Sequence, residues 1–259
     1  MSFSFSHLSS FRGIDGLDRD AHDLLQQWGL DHSFKSAQFA FSKQYHPSNA
    51  DTFLSDFFAD ASVREAFLLP DISGMQTLPL PSPESDRLRY EVMHVTKVDT
   101  SALLPAISHR FVSGSSFKGR TPHKLQRLDM DVSYEIDEAL FDVDSELYQL
   151  FTPEWRSELL CALFSILRAG GALNQQSVDV MNYIKLSTDL YRLHVHPLRV
   201  CEEDSLTLSH IHAYRIIEVG SADLFPRQRD FDLHPSNRCF VIIDSHRRMV
   251  TIIYNSVYL

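Results

Sequence analysis

Four histidines fall into two matched pairs, His194 with His196 and His210 with His212, each pair two residues apart. Neutral imidazole is a good zinc ligand, and two or three nearby ring nitrogens suffice to hold the ion. Residues 191–200 and 206–219 read as strands, with the turn CEEDS between them. A hairpin symmetric about Glu203 would set His196 opposite His210 and His194 opposite His212, with all four rings on one side. That arrangement describes a metal-binding protein or a metal-dependent enzyme. A one-residue slip of register would scatter the rings, and no carboxylate is placed to complete the set. Half-exposed strand histidines are therefore the preferred account.

Two further stretches invite a chemical reading. GSSFKGRT, residues 114–121, is one residue short of the phosphate-binding loop G-x-x-x-x-G-K-[ST]. Gly114, Gly119 and Thr121 fit, but Arg120 stands where Lys should reach the phosphates, and Pro122 follows where a helix should open. A polar loop is preferred over a nucleotide site. Residues 129–146 carry eight carboxylates and no basic residue. Asp129, Asp131 and Ser133 begin like a calcium loop, yet Tyr134 replaces the turn glycine and Leu140 the bidentate glutamate, which excludes it. What remains is a solvated acidic face, or a docking face for a basic partner formed by Asp129, Asp131, Glu135, Asp137 and Glu138. There is no G-x-S-x-G elbow, G-x-G-x-x-G turn or H-E-x-x-H helix. With 13 His and 34 acidic residues, chance acid–base pairs are plentiful and carry no weight. No catalytic residue and no cofactor is assigned.

The elements that must position these groups are dominated by residues 151–173, FTPEWRSELLCALFSILRAGGAL. Thr152 can cap a helix, Pro153 suits its first position, and Trp155, Leu159, Leu160, Leu163, Phe164, Ile166 and Leu167 form a wide apolar stripe. Gly170 and Gly171 end it, one of them left-handed. Further helices are predicted over 20–28, 48–58, 62–69, 101–111 and 177–191, and strands over 34–41 and 89–98. The apolar runs 238–243 and 249–254 flank DSHRR and predict a central antiparallel hairpin. The prolines of 76–86 predict a surface loop.

A chain of 259 residues that is 44% hydrophobic, with 18 Phe, can bury one large core. The expectation is a single α+β domain over 21–259 behind a loosely held lead-in, 1–20. Its helical N-terminal two-thirds surround a buried helix, and a mainly antiparallel sheet follows at the C-terminal end. A net charge of −10 argues against nucleic acid. No apolar run approaches the roughly 20 residues of a membrane span, and Cys161, Cys201 and Cys239 read as buried reduced thiols in a cytosolic protein.

LLQQWGLDHSFKSAQFAF from Leu24, FLSDFFADASV from Phe53, the 151–173 stretch and CFVIIDSHRRMVTIIY from Cys239 together resemble the cilia- and flagella-associated protein 300 family. The most specific pieces are Ala169–Leu173 and the D-x-x-R-R turn of Asp244–Arg248. The resemblance covers most of the chain, from about Leu24 to Tyr254. It implies a non-catalytic cytosolic factor for assembling outer and inner axonemal dynein arms. Such a factor would work with other dynein assembly factors and dynein subunits, and would enter the cilium with intraflagellar transport.

Overall fold

The computed structural model describes residues 2–70, 77–81, 88–96, 103, 136–171, 174–177, 179–200, 205–220, 224–225 and 234–257. In chain order its N-terminal elements are β1 (Phe5–His7), α1 (Arg19–Gln27), β2 (Phe34–Phe41), α2 (Ala50–Ala59) and α3 (Ala61–Ala66). Then come β3 (Leu68–Pro70), β4 (Thr77–Pro79) and β5 (Leu88–Met93), a short helix over 136–141, α4 (Pro153–Ser157), α5 (Leu159–Ala169) and α6 (Val180–His194). The last elements are β6 (Leu198–Val200), β7 (Ser205–Thr207), β8 (Ile211–Val219), β9 (Arg238–Asp244) and β10 (Met249–Asn255).

The apolar β9–β10 hairpin forms as the sequence predicts, with Met249 opposite Asp244 and Asn255 opposite Arg238. It lies in the middle of a six-stranded sheet, order β1-β2-β10-β9-β8-β5, in which every pairing is antiparallel. Alternation along β9 feeds both faces. Phe240 and Ile242 join one core with α5, α6 and α1, while Cys239, Val241 and Ile243 join another with α2 and α3. Phe53, Leu54, Phe57 and Phe58 of α2 are all fully buried, each stabilising by about 1.5–3 kcal/mol. The protein is α+β, its sheet covered on both faces.

Several expectations need correction. The sheet does not belong to the C-terminal part alone: β1, β2 and β5 precede residue 94. Residues 5–7, expected in a loose lead-in, pair with β2 and bury Phe3 and Phe5. The 151–173 helix is two helices. Thr152 caps α4 through Trp155 N, as expected, but Glu158 is extended (φ −74°, ψ 130°) because it bridges to His94 and accepts from Thr96 N at 3.3 Å. Part of the proline-rich stretch 76–86 is β4, paired with β3. The predicted strand 191–200 is wrong over its first half, since α6 runs on to His194. The predicted helix 101–111 lies outside the described residues, apart from buried Leu103.

Candidate partner interface

The polar side chains buried in this fold tie elements together. Arg168 on α5 is 1% exposed, and its Nε and Nη2 lie 3.1 Å from Asp137 Oδ1 and Oδ2 in a forked ion pair. Nη2 also reaches Gln176 Oε1 at 3.1 Å, and the guanidinium sits 5.4 Å from the Tyr183 ring centre. Burial raises the Asp137 pKa, and Arg168 and Gln176 oppose that rise. Arg156 on α4 stacks 3.6 Å over Tyr148 and donates to the carbonyls of Ala139, Leu140, Tyr148 and Phe151. It thereby closes the end of the 136–141 helix. Of the acidic docking residues expected from sequence, Asp137 is thus engaged internally and Glu138 accepts from Ser145 Oγ at 3.3 Å. Asp129, Asp131 and Glu135 lie outside the described residues, as do Gly114, Gly119, Arg120 and Thr121.

The four histidines do not converge. The β6–β7 ladder runs from Leu198↔Thr207 to Val200↔Ser205, one residue away from the register symmetric about Glu203, and ends short of the histidines. His194 closes α6. His210 precedes β8, its Nε2 3.1 Å from His196 O and 3.9 Å from Asp244 Oδ2. His212 points to the opposite sheet face, its ring 5.2 Å from Tyr45. Among the described residues, no three His, Cys, Asp or Glu side chains stand close enough to share a metal ion.

His194 is 4% exposed, and neither ring nitrogen has a hydrogen-bond partner among the described residues. Burial, with a smaller push from His196, lowers its pKa to about 3. The unfolded chain takes up this proton near pH 6.5 and the folded chain does not, so stability falls with pH through the window from 6.5 toward 3. At pH 5.5 the loss is on the order of 1 kcal/mol relative to neutral pH. His196, His212 and His234 are lowered in the same direction. His194→Leu should therefore shrink, not abolish, the difference between urea unfolding free energies at pH 7.5 and 5.5, by about that amount. An unchanged difference would mean that the ring is protonated in the fold.

Exposed and unassigned features meet at β5, the last strand of the sheet. Val92 is 66% exposed, and Glu91 pairs with Arg215 (3.3 Å), Arg89 with Glu218 (3.7 Å). Tyr90 donates to Asp51 Oδ1 at 2.6 Å, and its pKa is raised to about 12, chiefly by burial. Beside the strand lies a cavity of about 530 Å³, walled by Val92, Met93, Tyr148, Phe151, Pro153 and Arg156. The alternating sequence of 89–98 sets Tyr90 and Met93 against cores on opposite faces of the sheet. It gave no sign that the strand would be terminal in the sheet.

These features define an α+β protein with helices on both faces of one antiparallel sheet and an accessible strand at its border. A family model described as Cilia- and flagella-associated protein 300 matches residues 2–255, and the chain belongs to that family. Proteins of that name from Paramecium tetraurelia and Chlamydomonas reinhardtii are similar to it. The first is 26% identical over 240 residues, 92% of this chain and 88% of the relative; the second is 27% identical over 242 residues, 90% and 89%. No solved structure matches. Among the described residues, no helix is long and apolar enough to cross a membrane.

Proposed function

We propose that this chain is a non-catalytic factor for the assembly or ciliary transport of outer and inner axonemal dynein arms, and so supports motility of cilia and flagella. The observation that carries this reading is the family match across residues 2–255. The physical character supports it: Arg156 and Arg168 and their partners hold the fold together, which leaves the exterior as the working part. The protein acts in the cytoplasm and along the cilium, without a cofactor. Its partners are other dynein assembly factors, dynein subunits and the intraflagellar transport machinery.

Depleting the protein in a ciliated cell should leave axonemes lacking both rows of arms by electron microscopy, with beating lost and then restored by the intact chain. Axonemes that load both rows normally would refute the reading. The acidic run is the surface to test first. Reversing the charges of Asp129, Asp131, Glu135 and Glu138, while leaving Asp137 to Arg168, should weaken co-purification with the assembly factors. Undiminished recovery would remove that surface from consideration.

A further inference from the structure

The two borders of the six-stranded sheet are finished differently. At β1, side chains of α2, of α3 and of Asp60 between them meet the outer backbone: Phe3 N donates to Asp56 Oδ2 (2.6 Å), Phe5 N donates to Asp60 Oδ2 (3.3 Å), and Ser62 Oγ donates to Phe5 O (2.9 Å). At β5 the neighbouring His94 sets the phase. Its N–H donates to Ser157 O (2.7 Å) and its carbonyl accepts from Leu159 N (2.9 Å), so its backbone faces away from β8. Strand alternation then turns the N–H and C=O of Val92 and Tyr90 outward as well, and no described residue outside the sheet bonds to them. The extra residue of the β5–β8 irregularity is Ile217 in β8, because Arg89 faces Glu218 and Tyr90 faces Ile216. The border strand itself is regular.

An unpaired regular border is a template for another strand, and its side chains select which one. Residues 88–92 read Leu-Arg-Tyr-Glu-Val, with apolar ends and opposite charges on either side of a central aromatic. We propose that β5 pairs antiparallel with β5 of a second copy of this chain, about a two-fold axis at Tyr90, making one continuous sheet. In that register Arg89 faces the partner's Glu91 and Glu91 the partner's Arg89, while Leu88 faces the partner's Val92. Tyr90 and Val92, whose backbone groups point outward, take the hydrogen-bonded positions. Centring the pair on Glu91 or on Arg89 would oppose like charges, so charge selects the register. The His94 contact with residues 157–159 confines the pairing to 88–92. So short a ladder buries less than the ~1,200 Å² of a stable interface, so the dimer is weak, with a dissociation constant on the order of 10 μM.

Sedimentation equilibrium of the full chain from about 1 to about 200 μM should show a monomer passing into a dimer. Arg89→Glu alone and Glu91→Arg alone should each abolish the dimer, and mixing the two variants should restore it as a heterodimer. Their lost partners within the chain, Glu218 and Arg215, are half-buried, so melting temperatures should fall by no more than a few degrees. Val92→Pro removes an outward N–H that the β8 ladder does not use, and should also abolish association. A chain that stays monomeric throughout would overturn the proposal. So would a dimer that these substitutions leave intact, or variants that fail to recombine.

Discussion

Gly171→Ala should cost about 4 kcal/mol or prevent folding altogether. A methyl group there would stand 2.0 Å from the carbonyl oxygen of Gly29 and 2.7 Å from its carbon, and neither atom belongs to a side chain that can swing aside. Separation is also opposed, because Gly171 N donates to Trp28 O at 2.7 Å. Trp28 itself is fully buried and stacked on Tyr183, ring centres 4.1 Å apart. The contact joins the end of α1 to the end of α5. Gly170→Ala should cost less, about 1–3 kcal/mol, from its φ of 63° and ψ of −163° and from displacing the Asn174 side chain, a neighbour that can swing aside. Gly16→Ala, whose nearest neighbour is the Arg12 Cβ at 3.3 Å, serves as the mild control. Urea denaturation of the three variants should rank them in that order, and a Gly171→Ala protein as stable as its parent would show that the two chain segments can part.

Arg168→Ala should lower the unfolding free energy by about 3 kcal/mol, because it takes the counter-charge from the partly buried Asp137 carboxylate, which keeps its bond from Gln176, rather than merely deleting a contact. Burial already raises the Asp137 pKa, and losing Arg168 removes the main opposing influence. In the variant the folded-state pKa then lies above the unfolded value, so the stability that the protonated carboxyl retains is lost as pH rises through it. The deficit should therefore narrow in acid. Replacing both partners, Arg168→Met with Asp137→Leu, should cost much less than Arg168→Ala, since no charge is left without its counterpart. Equal losses for the single and double variants would show that the arginine's own hydrogen bonds, and not the carboxylate it neutralises, carry the stability.

The parts of this fold legible in the sequence are those set by local pattern. The Thr152 cap, the positive φ at Gly170 and the β9–β10 hairpin all follow from residues within a few positions of one another. What stayed hidden depends on residues far apart in the chain. Nothing near Glu158 says helix break, for the break comes from His94 and Thr96, more than sixty positions earlier. The α6 pattern continues smoothly through Leu190 and Tyr191, and His194 with Val195 looks β-like only because burial and alternation share an apolar–polar signature. The border position of β5 could not be read at all, since a strand's place in a sheet is a property of its neighbours. The forked pair of Arg168 with Asp137 was equally invisible: a lone arginine in an apolar helix gives no hint of which acid it will meet.

The place of β10 governs how this chain can be made. Its seven residues lie third in the sheet, clasped between β9 and a strand that left the ribosome more than two hundred residues earlier; Ser33 Oγ bonds Asn255 Oδ1 across a separation of 222 positions. Until residue 255 emerges, β2 has no inner neighbour and the aromatic side chains around Phe39 have no lid, so the nascent molecule must remain unfinished, and in need of shelter, until β10 is made.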